Sequence, residues 1–241
     1  MAFVWTMLFV DPLILLSTMV CATISVAASF FEKDGSTQTA MARLWAVSLL
    51  KIAGVRVKVE GLEKIKPGTP YVFVSNHLSY MDTPVVLSNI PVNFRFMAKS
   101  GLFQIPFLGT HLARAGHIPV PLEDPRKAVK SLTRAAEVIR DLGISVLIFP
   151  EGGRSITGVL QPFKEGAAYI AIKAGVEIVP LALIGTRQVL AMGEATFHRA
   201  PVTLRIGDPL ETAHLTPRDR HALTQCAREK IVAMLDSGSA G

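Results

Sequence analysis

Hydrophobic positions divide the chain into one uninterrupted apolar stretch near the N-terminus and a longer body with alternating patterns. Residues 12–31 carry no formal charge, and as a helix they would extend about 30 Å, the thickness of a bilayer's hydrocarbon core. We therefore expect a retained membrane helix, which either spans the bilayer or enters it and returns, since Asp11 and Pro12 interrupt the apolar run. Residues 39–52 predict a second helix, which either lies in the membrane interface or packs on the body. Its apolar stripe consists of Met41, Leu44, Trp45, Leu49 and Ile52.

Beyond residue 54, predicted strands alternate with predicted helices. Period-two patterning and short apolar runs predict strands at residues 55–59, 71–74, 94–98, 117–120, 146–149, 178–184 and 202–206. Helix starts are predicted at Thr83, Asp124, Gly166 and Thr216, three of which precede a proline. This alternation predicts a single α/β domain with a mixed, largely parallel central sheet flanked by helices. We divide the chain into a membrane anchor with an interfacial helix (1–53), an α/β body (54–236) and a flexible tail (237–241).

Composition and charge narrow the class of partner. Charged residues make up 18% of the chain, below the ~25% usual for soluble domains, so part of the surface is expected to face something other than water. The net charge of +6 suits an anionic membrane or a phosphorylated substrate. Nucleic acid is not expected as a partner, because no basic stripe interleaved with aromatic residues occurs. Two cysteines are too few for a disulfide scaffold or a cysteine zinc site. Positive residues follow the apolar stretch from Lys33 onwards, which predicts a cytoplasmic body.

The loop at residues 75–82 follows a predicted strand and contains His77 and Asp82. On a regular helix these two side chains would diverge by about 140°, so they meet only if His77 lies in the loop and Asp82 at the start of the next helix. A carboxylate bonded to one imidazole nitrogen would leave the other free as a base. The alternative is a loop histidine beside a helix-capping aspartate.

The loop at residues 149–155 also follows a predicted strand and contains Glu151, Gly152, Gly153 and Arg154. Two glycines allow backbone N–H groups to approach an anion, and arginine offers a planar fork for phosphate oxygens. A plain glycine turn with a local Glu–Arg ion pair is the alternative. The sequence contains no nucleophile elbow, no Walker loop, no dinucleotide fingerprint and no zinc-protease motif. The other histidines show no metal-ligand spacing, which favours structural roles for His111, His117, His198, His214 and His221.

Two motifs resemble those of the glycerolipid acyltransferases. The segment N-H-L-S-Y-M-D at residues 76–82 is similar to the N-H-x-S-x-x-D block of this family, and F-P-E-G-G-R-S at residues 149–155 is similar to its F-P-E-G-T-R-S block. Shorter matches occur in the family's order and extend the resemblance from about Trp45 to Leu210. Within the family, the chain looks like a bacterial-type 1-acyl-sn-glycerol-3-phosphate acyltransferase.

The resemblance implies roles for individual residues. His77 would be the general base and Asp82 its orienting partner. A substrate phosphate site would comprise Glu151, Gly152, Gly153, Arg154, Lys99 and Arg126, and the acyl-chain pocket would include Pro180. Two positions depart from the family pattern: Gly153 replaces a threonine, and Leu122 stands where an arginine is expected, which leaves Lys99 and Arg126 as substitutes.

The activity implied is transfer of an acyl group from acyl-CoA or acyl-carrier protein to the free hydroxyl of 1-acylglycerol 3-phosphate, giving phosphatidic acid. No metal or other cofactor is expected, and the partners would be membrane lipids, the lysophospholipid acceptor and the thioester donor. The expected location is the bacterial inner membrane, with the catalytic domain on the cytoplasmic side. Three alternatives stay open: an acyltransferase for another lysolipid such as a lyso-ornithine lipid, a non-catalytic lipid-binding protein, and a metal-dependent hydrolase.

Overall fold

The computed structural model describes residues 2–31 and 35–237, so Lys33 and all of the predicted tail except Ser237 lie outside the described residues. The helices are α1 (Ala2–Trp5), α2 (Asp11–Ala28), α3 (Ser36–Ile52), α4 (Asp82–Asn89), α5 (Leu108–Arg114), α6 (Pro125–Leu142), α7 (Gly166–Ala174), α8 (Thr186–Val189) and α9 (Arg220–Asp236). The strands are β1 (Val57–Glu60), β2 (Val72–Ser75), β3 (Phe94–Lys99), β4 (Ile118–Val120), β5 (Ser145–Ile148), β6 (Ile178–Ile184) and β7 (Val202–Ile206). A π-helical turn (Thr6–Val10) joins α1 to α2, and 3₁₀ turns lie at Leu62–Lys64, Ser100–Gln104 and Pro217–Asp219.

The strands form one seven-stranded sheet in the order β1-β7-β6-β2-β5-β3-β4. Every neighbouring pair is parallel except β6 and β7, which are antiparallel. The predicted α/β fold with a mixed, largely parallel sheet is therefore confirmed. Strands β2 to β6 all end at one edge of the sheet, which we call the carboxyl edge. Because β2 and β5 are neighbours, the two loops with candidate chemistry emerge there side by side.

Helices cover both faces of the sheet. One face packs against α3 and α4 around a cluster that includes Phe73, Leu147 and Leu181. The other face packs against α6, α7 and α9, with Val146 and Ile170 fully buried. Two buried faces explain why the central strands read as continuous apolar runs and not as alternating ones.

An apolar helix is present where the sequence predicts a membrane helix, and it runs over Phe3–Ala28, 26 residues with a mean hydropathy of 2.0. Among the described residues it is the one helix long and apolar enough to cross a membrane, and 11% of its most apolar window is buried. Asp11 and Pro12 do not break it: the proline lies in the first turn of α2, directly after the π-helical turn, and the backbone stays helical on both sides.

Helices α2 and α3 form an antiparallel hairpin tied by polar side chains. The Ser17 and Ser48 hydroxyls are 2.6 Å apart, and the indole N–H of Trp45 donates to the hydroxyl of Thr18 over 2.9 Å. The predicted stripe of α3 is wrong in part: Leu44 is 52% exposed, whereas the buried face contains Ala42, Ala46, Leu49 and Leu50. Small residues allow the helices to approach closely, which leaves larger apolar side chains outside.

Candidate active site

His77 and Asp82 are in contact at the carboxyl edge. His77 lies in the loop after β2, and Asp82 is the first residue of α4. The imidazole Nδ1 is 2.8 Å from Asp82 Oδ2, and the same oxygen accepts the backbone N–H groups of Leu78 and Ser79 over 2.7 and 2.8 Å. The loop is thus wound around a carboxylate that is completely buried. Among the described residues no hydrogen bond engages His77 Nε2, so this nitrogen keeps its lone pair when Nδ1 donates to Asp82.

The surroundings of His77 favour the neutral imidazole. Its ring stacks on Phe149, with centroids 3.8 Å apart and planes 12° from parallel. Burial lowers the pKa of His77 below its ordinary value, the positive charge of Arg154 lowers it further, and Asp82 opposes both. A neutral imidazole at neutral pH is the form that accepts a proton.

Glu151 holds the two loops together. One carboxylate oxygen accepts the backbone N–H of His77 over 2.6 Å, and the other accepts the backbone N–H of Gln161 over 2.8 Å. A third link joins the loops where the N–H of Ser155 donates to the carbonyl of His77 over 3.0 Å. Burial raises the pKa of Glu151, and the two backbone hydrogen bonds act against that rise. Glu151 is not among the residues that line the cavity, and both of its oxygens accept backbone N–H groups. Its place in a substrate phosphate site stays a prediction.

Arg154 reaches back to the histidine loop. Its Nε donates to the carbonyl of Ser79 over 3.1 Å, and its guanidinium lies 4.8 Å from the ring centroid of Tyr80. Burial lowers the pKa of Arg154, and the guanidinium keeps its charge because arginine is not deprotonated in proteins. The structure therefore brings a fixed positive charge beside His77, and both side chains line one cavity.

A second cation at this place, Lys164, is absent from the site residues that the sequence predicts. Gly152 has a φ of +79°, and a Cβ there would lie 2.7 Å from Lys164 Nζ, so the glycine makes room for the ammonium group. Lys164 lines the cavity and forms no ion pair with any described residue. The sequence signal is its place in the F-K-E-G segment at residues 163–166. Gly153 also lines the cavity, and a Cβ added there would meet no described atom within 4 Å.

The cavity has a volume of about 1270 Å³ and a mainly apolar lining that continues between the body and the N-terminal hairpin. Trp45 and Leu49 of α3 contribute to its wall. Lys99 also lines it and pairs with Glu123 over 3.2 Å. Leu122 lines it as well, so the wall is apolar at the position where the family resemblance implies an arginine.

Two further predicted residues lie elsewhere. Arg126 is exposed on α6 and does not line the cavity, because its side chain is on the outer side of the helix. Pro180 lies within β6 and shares a face with Ile178, since alternate residues of a strand point to opposite faces. Its ring packs towards Gly207 and Met234, so it does not line the cavity either.

Ser79 is held away from a nucleophilic role. Its buried hydroxyl lies 2.9 Å from the carbonyl of Thr186 and 2.6 Å from that of Leu190, and it accepts the N–H of Met81. These bonds fix the loop around Asp82. The arrangement favours direct use of His77 as a base over a covalent serine intermediate.

A second pair of histidines, His111 and His117, lines another part of the cavity. Their ring centroids are 6.3 Å apart. His117 Nδ1 accepts the backbone N–H of Phe96 over 3.0 Å, and burial lowers the pKa of His117 to about 3. His111 Nδ1 lies 2.7 Å from the hydroxyl of Ser25 in α2, and burial lowers its pKa as well. Within residues 2–31 and 35–237, no three His, Cys, Asp or Glu side chains are grouped so that they could hold a metal ion.

Known proteins that resemble this chain in sequence or structure are acyltransferases. The sequence model of the Acyltransferase family matches residues 56–184. A chloroplastic 1-acyl-sn-glycerol-3-phosphate acyltransferase from Arabidopsis thaliana is 37% identical over 198 residues, which are 81% of this chain and 53% of the relative. A 1-acyl-sn-glycerol-3-phosphate acyltransferase from Chlamydomonas reinhardtii is 31% identical over 98% of this chain and 68% of its own length. The chain thus spans about half the length of the first of these relatives.

Among solved structures, the 1-acyl-sn-glycerophosphate (LPA) acyltransferase PlsC from Thermotoga maritima has the same fold. The two superpose with a TM-score of 0.84 at 24% identity, over 100% of this chain and 99% of the other. The match includes the N-terminal hairpin, since the whole chain is covered. With the family model matching more than half of the residues, the chain belongs to the acyltransferase family.

Proposed function

We propose that this chain transfers an acyl group from acyl-CoA or acyl-carrier protein to the free hydroxyl of 1-acylglycerol 3-phosphate, forming phosphatidic acid. The observation that carries the proposal is the His77–Asp82 pair, which lies beside Arg154 on the wall of a large apolar cavity. Names of the relatives support the same substrate class. An apolar cavity suits acyl chains, and a cationic rim suits a phosphate.

In the proposed reaction His77 acts as a general base. Its Nε2 takes the proton of the acceptor hydroxyl while the hydroxyl oxygen forms a bond to the thioester carbonyl carbon. Asp82 stabilises the imidazolium that results and fixes the Nδ1–H tautomer. The carbon–sulfur bond then breaks, and the imidazolium returns the proton to the leaving thiolate, so that ester and free thiol are the products. No covalent acyl-enzyme is formed.

We assign the acceptor phosphate to the cations on the cavity wall. Arg154 is held by Ser79 and Tyr80, so its remaining N–H donors are oriented before substrate binds. Lys164 adds an unpaired ammonium group beside Gly152, and Lys99 is a third candidate. The backbone N–H groups of Gly152 and Gly153 complete the proposed cradle.

A different lysolipid acceptor is the second candidate, and the apolar side chain of Leu122 on the cavity wall favours it. One positive charge fewer than the family pattern would weaken binding of a doubly charged phosphomonoester relative to a singly charged or zwitterionic head group. A panel of 1-acyl acceptors with one thioester donor distinguishes the two candidates. The order of kcat/KM across the panel identifies the preferred head group.

We also propose that the N-terminal helix lies along one membrane surface. Its Thr6 hydroxyl accepts the N–H of Phe197 over 3.3 Å, and its Ser25 hydroxyl contacts His111. These two contacts are about 28 Å apart along a helix, nearly the thickness of the hydrocarbon core. A helix perpendicular to the membrane would therefore draw one side of the α/β body into the hydrocarbon. The bacterial inner membrane and the cytoplasmic orientation stay predictions.

The test of the proposed activity uses the full chain in vesicles. Thiol release from acyl-CoA and formation of phosphatidic acid are measured with and without 1-acylglycerol 3-phosphate. We expect acceptor-dependent release of one thiol per ester formed, and its loss in His77→Ala. His221→Ala on α9 is the matched control, because that side chain is 75% exposed and lies outside the cavity. Near-normal transfer by folded His77→Ala would refute the proposal, and vesicle binding without thiol release would favour a non-catalytic lipid-binding protein.

A further inference from the structure

An exposed apolar patch lies beside the cavity in a segment of the α/β body. It contains Leu102, Ile105, Phe107 and Leu108, which are 39%, 46%, 71% and 40% exposed, and we call it the Phe107 patch. The segment follows β3, so it emerges at the carboxyl edge and leads into α5. Neighbouring large apolar side chains at such exposure are unusual on a surface that meets only water.

The backbone holds Phe107 outward. Its φ of +64° and ψ of −52° form a tight turn in which the N–H of Leu108 donates to the carbonyl of Pro106 over 2.7 Å. Such a γ-turn is strained for any residue with a side chain. Gly109 supports this turn, because its N–H donates to the Ile105 carbonyl and its missing Cβ lets the Phe103 carbonyl approach. The turn therefore has a defined conformation, with the Phe107 side chain exposed.

The Phe107 patch is continuous with the apolar face of the N-terminal helix. Helix α5, which starts at the patch, packs against α2, where His111 contacts Ser25 and Arg114 donates to the carbonyl of Ser29 over 3.4 Å. Met19 of α2 and Phe107 line the same cavity. The patch therefore lies at the start of a helix that packs against the N-terminal helix.

Basic side chains border the far side of the cavity. Val129 of α6 lines the cavity and is 51% exposed, and it is flanked on the helix by Arg126 and Lys130. Neither of these cations forms an ion pair with any described residue. Long basic side chains beside exposed apolar ones suit a membrane interface, where the stems stay in apolar surroundings and the charges reach anionic head groups.

We infer that the Phe107 patch is a second membrane-contact site of this chain, which enters the same leaflet of an anionic bilayer as the N-terminal helix. This inference rests on the proposed membrane function. Attachment at two sides of the cavity fixes its mouth against the lipid surface, so that acyl chains pass from the bilayer to the cavity without crossing water. Arg126, which lies outside the cavity, then binds lipid head groups and not the acceptor.

Site-specific fluorescence tests the inference. Cys226 is replaced by serine, and Cys21 is buried. A nitrobenzoxadiazole label is attached in three separate variants: Phe107→Cys, Leu16→Cys on the exposed face of α2, and Leu142→Cys. Leu142 is 61% exposed at the end of α6, at the opposite edge of the sheet, and serves as the matched control. Vesicles contain phosphatidylglycerol and phosphatidylcholine, with or without a doxyl quencher on the acyl chain.

We expect the label at 107 to shift to the blue and to be quenched by the doxyl lipid, as at 16, with no change at 142. Quenching at 16 but not at 107 would overturn the inference and leave the proposed membrane function intact. Loss of quenching at positions 16 and 107 would overturn both the inference and the proposed membrane function. A blue shift at 107 that depends on protein concentration and not on vesicles would identify a contact between copies, which also overturns the inference.

An unlabelled variant supplies an independent measurement. We expect Phe107→Ser to lower the apparent affinity for the same vesicles about tenfold, from the apolar area it no longer buries, and Leu142→Ser to leave that affinity unchanged. Circular dichroism of Phe107→Ser and Leu142→Ser checks that both variants are folded. Equal vesicle affinities for the two serine variants would overturn the inference.

Discussion

His77 and His117 are two buried histidines on the wall of one cavity, and they differ in what faces their Nδ1 atoms. Nδ1 of His77 faces a carboxylate, so it must carry the proton and Nε2 keeps a lone pair. Nδ1 of His117 accepts a backbone N–H, so in the neutral ring Nε2 carries the proton. Burial is the largest cause that lowers the pKa of both groups. Under the proposed mechanism, a neighbouring carboxylate thus distinguishes the base from a polar group that takes no part in the reaction.

The largest expected effect on the rate comes from removal of the proposed base. His77→Ala should lower kcat for thiol release roughly 10²- to 10⁴-fold, the usual contribution of a positioned base. His117→Ala should keep most of its kcat, because its Nε2 has no lone pair in the neutral form. Steady-state kinetics on both purified variants measures the contrast. Equal losses of kcat in the two folded variants would contradict the distinction between them.

Asp82→Asn should lower kcat on the order of 10²-fold. The amide oxygen can take the place of Oδ2 and accept from Nδ1, Leu78 and Ser79, since one oxygen of Asp82 faces all three, but a neutral amide does not stabilise the imidazolium that the proposed reaction forms. Circular dichroism checks the fold, and Asp141→Asn on the exposed part of α6 is the matched control. Full activity of Asp82→Asn would show that the charge of Asp82 does not contribute to the reaction.

Glu151→Gln should lower kcat about tenfold through the position of His77, since an NH₂ group would replace one of two oxygens that accept backbone N–H groups. We expect the KM for the acceptor to change little, because the side chain lies behind the cavity wall. Glu165→Gln, at an exposed site, is the control for the loss of a charge. A rise in KM at unchanged kcat would instead place Glu151 in contact with the acceptor.

The acid limb of kcat/KM should lie below pH 6.5, because burial lowers the pKa of His77 and the neutral form is the active one. Activity should fall as the pH falls through that pKa. Arg154→Gln removes a positive charge that lowers this pKa, so the limb should move to higher pH, whereas Arg134→Gln on the outer face of α6 should not move it. A shift to lower pH would mean that another group controls the limb.

The smallest effect concerns stability. The pKa of His117 is about 3 when folded, against 6.5 ordinarily, so the unfolded chain binds the extra proton first and stability falls as the pH drops from 6.5 towards 3. His117→Gln should make the free energy of unfolding less sensitive to pH in this window. Urea unfolding at several pH values measures the slope, and an unchanged slope would show that other groups cause the acid sensitivity.

Local patterns predict the elements of the body well. The bounds of α7, β6 and β7 agree with those expected from the sequence, because each is an apolar run between turn residues. The helix at Leu108–Arg114 is not among the predicted elements, since glycine and proline interrupt the segment and its apolar residues point outward. In the same way, Leu44 of the predicted apolar stripe of α3 is exposed, which fits the membrane contact that we propose for the hairpin. The rule that the apolar stripe of a helix marks its buried face applies to helices surrounded by water, and it does not hold where the surroundings are apolar.

The site is predictable to the extent that it is local. The contact between His77 and Asp82 depends on one loop and one helix start, and both are marked by the sequence. The rest of the site depends on strand order and on which side of an element each residue occupies. These determine that Glu151 lies behind the cavity wall, that Arg126 lies outside the cavity and that Lys164 lines it. No pattern along the chain states that β5 lies beside β2.

The hairpin of α2 and α3 has a consequence for any attempt to obtain a soluble form. Because Trp45 and Leu49 form part of the cavity wall, removing the first 53 residues would open the cavity to solvent. If the hairpin attaches the chain to the membrane and the cavity holds the acyl chains, as we propose, an exchange of this hairpin for that of a relative would alter acyl-chain preference together with membrane affinity.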